Sequence, residues 1–233
     1  MNHSTGTALE FLKTSAGGID KEIHIEATDS GVEISYPARR IQFNHSFIHG
    51  PFARRATQSS QALLKACNNK RRSIKTLLDM TGGWGVDSLC LAFQGHQVTL
   101  LEQNALVFAV VAYSLACLAT NQPDDPAAKR ITLKQINALE YLQSRHSDPG
   151  FDCIYLDPMF PGHKSTARPA KALQVLQALT ENREIDACFE LALQTAVKRV
   201  VVKRPARAEK LSDLKPDIVY REKTIRFDVY LTG

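Results

Sequence analysis

The sequence predicts an α/β fold with a doubly wound, mostly parallel, seven-stranded sheet covered by helices on both faces. From residue 73 onward, apolar strand-like segments alternate with helix-like segments, as they do in parallel sheets with crossover helices. The last two strand-like segments, 217–221 and 225–231, have no helix between them and therefore predict a closing antiparallel pair. The 233 residues, 44% of them hydrophobic, suffice for one substantial core and a small accessory segment.

The first 70 residues predict a small β-containing accessory domain. Segments 22–27 and 31–35 alternate as short strands do, and 57–68 places apolar residues at helical spacing behind polar capping residues. We therefore predict an N-terminal accessory domain over 1–70 and the main α/β domain over 71–233.

The main domain continues with five strands and the helices that connect them. The predicted strands are 74–80, 96–102, 131–136, 151–157 and 197–205. The predicted helices are 86–93, 105–120, 138–145 and a long stretch that follows the loop 157–169 and ends at Ala196. In such a fold the ligand binds at the carboxyl ends of the strands, so the functional residues are expected on the loops there.

Composition narrows the class of protein. A net charge of +5 suits a polyanionic partner without identifying one. The five cysteines are odd in number and widely spaced, which predicts reduced core thiols and no metal site. The sequence has no signal-like N-terminus and no apolar run of the ~18 residues that a bilayer span needs. We therefore expect a cytoplasmic protein without a membrane partner.

A glycine-rich segment after the first main strand predicts a nucleotide-like ligand. Gly83 and Gly85 lack Cβ atoms, so the backbone can approach a ligand at a helix N-terminus. Glu102 ends the next strand, where doubly wound folds bind ribose hydroxyls. Ser88 and the acidic Asp87 fit poorly with the pyrophosphate of a nicotinamide dehydrogenase.

Three carboxylates near this segment favour S-adenosylmethionine as the cofactor. Asp79, Asp87 and Asp157 are predicted at the same edge of the sheet, where they would attract a sulfonium and an amino group. A tight turn without a ligand is the alternative interpretation of the glycines when they are taken alone.

The segment after the fourth strand of the main domain predicts a site for an amine substrate. A base amine is a poor nucleophile, so an enzyme must orient it and accept its hydrogens. Asp157 and the backbone carbonyl of Pro158 could do so, and Phe160 could stack on the base. Alternatively, Asp157 caps a turn and Phe160 packs inward.

Basic residues supply candidate contacts for RNA phosphates. Arg54 and Arg55 form one candidate pair, for which a solvated basic face is the alternative. Lys203 and Arg204 end the fifth strand of the main domain, which is the expected ligand side.

Five motifs occur in order between Asp79 and Tyr230: DMTGGWGVDS, LLEQN, YLDPMFP, RVVVKRP and RFDVY. Together they resemble the bacterial guanine-N2 methyltransferases of small-subunit (16S) ribosomal RNA, a class I S-adenosylmethionine-dependent family with a Rossmann-like sheet. HGPFARR resembles a further element of that family. YLDPMFP is the most specific motif, because methyltransferases in general more often have proline where Met159 stands.

The resemblance implies specific cofactor contacts: Val86, Asp87, Glu102, Gln103, Asn137, Ala138 and Asp157. At three of these positions the chain departs from residues common in the family. Val86 and Gln103 stand where relatives often have arginine, and Ala138 replaces a small hydroxyl residue.

The expected function is transfer of a methyl group from S-adenosylmethionine to the N2 amine of a guanine in small-subunit ribosomal RNA, either naked or in the assembled subunit. Two alternatives stay open at this point. One is methylation of another amine, such as adenine N6 in DNA or a protein glutamine amide. The other is a non-catalytic module that binds S-adenosylmethionine or RNA.

Overall fold

Two sheets organise the chain in a computed structural model that describes residues 23–37, 40–58, 60–68, 73–145, 150–158, 171–179 and 184–233. The smaller sheet is antiparallel, in the order β1 (His24–Thr28), β2 (Gly31–Tyr36) and β3 (Ile41–His45). Helices α1 (Gly50–Thr57) and α2 (Gln61–Cys67) follow it and lead to the larger sheet.

The larger sheet has seven strands within the described residues. They are β4 (Thr76–Asp79), β5 (Gln97–Glu102), β6 (Ile131–Gln135), β7 (Cys153–Leu156), β8 (Arg199–Pro205), β9 (Ile218–Arg221) and β10 (Ile225–Leu231). The helices between them are α3 (Val86–Phe93), α4 (Ala105–Asn121), α5 (Ala138–Gln143), α6 (Lys171–Leu179) and α7 (Ile185–Thr195), with a short 3-10 helix over Ala128–Arg130. None of the described helices is long and apolar enough to cross a membrane.

The strand order is β6-β5-β4-β7-β8-β10-β9. Strands β4 to β8 pair in parallel, and β10 is antiparallel to both β8 and β9. The predicted fold class is therefore confirmed. The chain builds outward from β4 to β6 and then returns to add β7 and β8 on the other side. This reversal leaves a crevice at the carboxyl ends of β4 and β7, the usual ligand position in such sheets.

Strand residues alternate between the two faces of the large sheet, and the hydrophobic core follows that alternation. Leu77 and Leu100 belong to the cluster that includes side chains of α3 and α4. Their neighbours Leu78 and Leu101 belong to the cluster that includes side chains of α5 and α7. The parity of a residue, that is, whether it is an even or odd number of positions from a reference residue on its strand, therefore indicates the face of the sheet on which its side chain lies at the carboxyl edge.

Helix α4 lies between the two sheets, which explains why it is apolar on all sides. It contacts β5 and β6 on one side and β2 on the other. The Tyr113 hydroxyl, on α4, donates a hydrogen bond to the Thr28 carbonyl at 3.1 Å. The sequence boundary near position 70 falls between α2 and β4, and the segments on both sides of it contribute to one hydrophobic cluster.

Four local features differ from the sequence prediction. Strand β3 and helix α1 were not predicted, although Ile41–His45 alternates as strands do and Pro51 suits the first turn of a helix. The helix predicted over 57–68 is the shorter α2, capped by Ser60, whose Oγ accepts from the Leu63 amide at 3.0 Å. The long helix predicted before Ala196 is wrong: α6 and α7 are separate, because Glu184 has a non-helical backbone (φ −124°, ψ 21°).

Candidate active site

Four carboxylates gather at the carboxyl ends of β4, β5 and β7, as the sequence predicts. Asp79 and Glu102 are the last residues of β4 and β5, and Asp157 directly follows β7. Asp87 lies in the first turn of α3. The strand alternation puts the first three on the face that α3 covers, so all four acids border the same crevice.

The glycine-rich turn between β4 and α3 depends on close backbone contacts. The Gly82 amide donates to the Leu101 carbonyl at 2.9 Å, and a Cβ at Gly82 would lie 2.6 Å from that oxygen. Gly85 precedes α3 with φ 73°, in the left-handed region that favours glycine. The N-terminus of α3 is thereby held at the crevice, where its free amides can meet a ligand.

Glu102 ties the glycine-rich turn to the end of β5. Its Oε2 accepts from the Gly83 amide at 2.9 Å, and its Oε1 accepts from the Asn104 amide at 2.7 Å. Burial raises the pKa of Glu102 to about 7, although these amide hydrogen bonds oppose the shift. Each carboxylate oxygen can accept a second hydrogen bond, so the group can hold the turn and ribose hydroxyls together.

Asp79 is engaged inside the turn. Its Oδ1 accepts from the Thr81 amide at 3.0 Å, and its Oδ2 accepts from the Ser88 hydroxyl at 2.6 Å. Burial raises its pKa to about 7. Asp79 therefore stabilises the glycine-rich turn and connects it to α3 through Ser88.

Lys203 joins the carboxylates of Asp87 and Asp157. Its ammonium nitrogen lies 2.8 Å from Asp87 Oδ2 and 2.9 Å from Asp157 Oδ2. The Tyr155 hydroxyl donates to Asp87 Oδ2 at 2.6 Å, and the Asp157 amide donates to the Thr81 hydroxyl oxygen at 2.6 Å. These bonds link β7, β8, α3 and the glycine-rich turn into one polar cluster.

The segment that follows β7, which the sequence predicts to bind the amine substrate, is only partly described. Asp157 is partly exposed and Pro158 is buried at the start of that segment. Phe160, predicted to stack on the base, lies outside the described residues, as does the remainder of the loop through 170.

The residues at the ends of β5 and β6 form a second side of the crevice. Asn137 caps α5, its Oδ1 accepting from the Leu139 amide at 2.8 Å, and its Nδ2 donates to Gln103 Oε1 at 3.0 Å. Ala138 opens α5 and Val86 opens α3, both partly buried. These four positions, like the other three that the family resemblance implies, lie at the strand ends and helix N-termini that border the crevice.

The four basic residues predicted to contact RNA fall into two groups. Arg54 and Arg55 are exposed on α1, and the positive charge of Arg55 helps to lower the pKa of Asp87 on the neighbouring helix α3. Lys203 is engaged by two carboxylates, as described above. Arg204 is buried on the opposite face of the sheet and donates to the Glu209 carbonyl at 2.6 Å.

His45 connects the small sheet to the glycine-rich turn, a role that local patterning did not indicate. Its Nε2 donates to the Trp84 carbonyl at 2.9 Å, and its Nδ1 lies 2.8 Å from the Ser114 hydroxyl oxygen. The Trp84 indole in turn donates to the Ala172 carbonyl at 2.9 Å. Burial lowers the pKa of His45 to about 4, so the ring is neutral at pH 7.

Replacing His45 by glutamine is expected to reduce the acid sensitivity of folding. The folded protein resists protonating His45 until about pH 4, whereas the unfolded chain protonates it near 6.5. The unfolded state therefore binds more protons as pH falls from 7 to 5, and His45 should cost about 2 kcal/mol of stability over that range. Urea unfolding of wild type and variant at both pH values measures this; equal pH dependence of the two proteins would contradict the prediction.

Within the described residues, no group of three or more histidine, cysteine or acidic side chains could hold a metal ion. All five cysteines are buried, as predicted for core thiols.

Comparison with known proteins agrees with this geometry. Residues 21–232 match the family model described as "Putative SAM-dependent methyltransferase". A protein named ribosomal RNA small subunit methyltransferase J from Thioalkalivibrio sulfidiphilus is 38% identical over 231 residues, which cover 99% of this chain and 87% of that protein. A protein of the same name from Nitrosococcus oceani is 32% identical over 84% of this chain and 82% of that protein.

A solved structure supports the same assignment. The crystal structure of an SAM-dependent methyltransferase from Neisseria gonorrhoeae superposes with a TM-score of 0.74 at 26% identity, covering 98% of this chain and 93% of that one. The chain therefore belongs to the S-adenosylmethionine-dependent methyltransferase family that includes the proteins named ribosomal RNA small subunit methyltransferase J.

Proposed function

We propose that this protein transfers the methyl group of S-adenosylmethionine to the N2 amine of a guanine in small-subunit ribosomal RNA. The observation that carries the proposal is the position of Asp157-Pro158 directly after β7 and beside the glycine-rich turn, where the Asp157 amide donates a hydrogen bond to Thr81. The names of the relatives support ribosomal RNA of the small subunit as the substrate class. Such a substrate would place the protein in the cytoplasm.

The residues of the crevice fit S-adenosylmethionine. The turn from Gly82 to Gly85 lets backbone approach the cofactor, and Glu102 offers buried carboxylate oxygens for the ribose hydroxyls. We propose Val86, Gln103, Asn137 and Ala138 as further cofactor contacts, as the family resemblance implies. The bound cofactor supplies a methyl group activated by a sulfonium. The carboxylates that line the crevice supply the complementary negative charge.

Asp157 is the residue proposed to contact the reacting amine. Its Oδ2 is held by Lys203, and among the described residues no donor bonds to its Oδ1. Oδ1 and the backbone carbonyl of Pro158 would accept the amine hydrogens and so orient the nitrogen lone pair toward the methyl group. Phe160 would stack on the base and complete the binding of the guanine.

Arg54 and Arg55 are proposed to bind RNA phosphates beside the crevice. Replacing either residue by alanine should weaken RNA binding by a similar factor for every sequence tested, because phosphate contacts carry no sequence information. The slope of log K against log salt should fall by about 1 per residue removed. Filter binding at several salt concentrations measures the slope. An unchanged slope would remove these residues from the RNA interface. Replacing Arg221, which is exposed on β9, by alanine provides a matched control.

Labelled methyl transfer tests the proposed function. Small ribosomal subunits and naked ribosomal RNA from cells lacking this gene would be incubated with labelled S-adenosylmethionine, and their nucleosides analysed by mass spectrometry. N2-methylguanosine in either sample supports the proposal and identifies the form of RNA that is methylated. Label in adenine of DNA or in protein glutamine would replace it with another amine substrate. Cofactor binding without transfer to any of these would indicate a non-catalytic module.

A further inference from the structure

The position of Lys203 follows from the register of the large sheet. Leu156 of β7 pairs with Val202 of β8, so the next residues, Asp157 and Lys203, lie side by side at the carboxyl edge. Lys203 has the same parity as Val201, whose side chain packs in the cluster that α3 and α4 cover. Its side chain therefore points toward α3, where it meets Asp87.

We propose that Lys203 is a positioning residue for methyl transfer, which holds Asp87 on the cofactor side and Asp157 on the substrate side in one fixed arrangement. The inference concerns the reaction proposed above and rests on it for the role of Asp157. It replaces the interpretation of Lys203 as an RNA contact, because both carboxylates compete with any phosphate for its ammonium.

The hydrogen bonds of the cluster give the two carboxylates a defined orientation. Lys203 binds Oδ2 of both acids, and Tyr155 donates to the same Oδ2 of Asp87. Among the described residues, Oδ1 of Asp87 and Oδ1 of Asp157 receive no hydrogen bond. One lysine thus fixes one oxygen of each carboxylate and leaves the other for a ligand.

The charge of Lys203 also keeps the two acids ionised. Burial raises the pKa of both Asp87 and Asp157, and the negative charge of Asp87 raises that of Asp157 further, whereas the ammonium between them lowers both pKa values. The pKa of Asp87 ends below its ordinary value and that of Asp157 ends above it. Removing the ammonium should therefore raise both pKa values, so that each acid becomes protonated at a higher pH.

Three variants test the inference. Lys203→Met removes the charge but keeps most of the side-chain volume, and Lys203→Arg keeps the charge. Lys198→Met is the matched control, because Lys198 directly precedes β8, at the end of the strand away from the crevice, and pairs with Asp152 at 2.7 Å. Urea unfolding midpoints of all three would show that each variant is folded before activity is compared.

Two measurements are needed, one with RNA and one without. In Lys203→Met, the acid limb of the pH profile of kcat should move up by about 1 pH unit or more, with kcat at pH 7 roughly tenfold lower. Calorimetry of S-adenosylmethionine binding should show that the affinity of this variant falls at a higher pH than that of wild type, because Asp87 takes up a proton more readily without the ammonium. Asp79 and Glu102, whose pKa values are about 7, titrate in both proteins and are accounted for by the comparison with wild type. Lys203→Arg and Lys198→Met should resemble wild type in both measurements.

An acid limb that does not move in Lys203→Met would overturn the inference, as would an equal shift in Lys203→Arg or in Lys198→Met. The binding measurement separates this failure from failure of the proposed function. If wild type methylates no guanine, the function fails, while the pH dependence of cofactor binding still reports whether Lys203 controls Asp87.

Discussion

Replacing Asp157 by alanine is expected to lower kcat for methyl transfer by about 10³-fold, with little change in the free energy of unfolding. Asp157 is partly exposed and lies just beyond β7, so the variant opens no cavity in the core. Its Oδ1 is a side-chain acceptor at the start of the proposed substrate segment, and the bond from Lys203 to Oδ2 fixes the orientation of the carboxylate. Without it the amine loses both its orientation and the acceptor for its hydrogens. Single-turnover rates with saturating cofactor and RNA measure the loss directly.

Asp157→Asn separates positioning from charge. The amide keeps one oxygen that can orient the amine but loses the negative charge and the ion pair with Lys203, so we expect a loss of about tenfold to a hundredfold. Cofactor affinity should remain near that of wild type in Asp157→Ala if Asp87 and Glu102 provide most of the binding. Near-normal turnover of a folded Asp157→Ala protein would remove the catalytic assignment.

The fold was predictable because its main strands and helices are encoded locally. Residues 97–102 and 153–156 have the apolar runs of buried parallel strands, and 105–121 has the length and apolarity of a helix enclosed on both sides. The break between α6 and α7 escaped prediction because both helices have apolar residues at helical spacing, and that spacing does not show where a helix stops.

The sequence indicated which site residues lie at the ends of strands, but it did not indicate which side chains those residues contact. Asp79, Glu102 and Asp157 follow strands, so topology alone placed them at one edge. Lys203 lies near the end of a strand, so the sequence predicts an RNA contact, whereas its parity with Val201 directs its side chain to Asp87, 116 residues earlier in the chain. The bond from His45 to Trp84 spans 39 residues and joins the small sheet to the glycine-rich turn. Parity indicates a face of the sheet, whereas the partner on that face depends on register and on tertiary packing.

Replacing Glu102 by alanine is expected to weaken S-adenosylmethionine binding by about 100-fold, the value of one to two hydrogen bonds to a charged group. Glu102 sits between two amide donors, Gly83 and Asn104, so its loss would also leave the glycine-rich turn without its bond to β5. Glu102→Gln cannot restore both hydrogen bonds. Its side-chain NH2 group would lie opposite one of the two backbone amides, and two donors cannot hydrogen-bond to each other. Calorimetry on both variants measures the affinity.

The raised pKa of Glu102 gives this prediction a second and independent signature. With a pKa of about 7, the carboxyl is about half protonated in the free protein at neutral pH. Ribose hydroxyls that donate to the carboxylate favour its ionised form, so cofactor binding should lower the pKa and release up to about half a proton at pH 7. Affinity in wild type should therefore rise with pH through 7. Calorimetric titrations in buffers of different ionisation enthalpy measure the number of protons released on cofactor binding. Wild type should release them and Glu102→Gln should release fewer, whereas equal release would place the ribose away from Glu102.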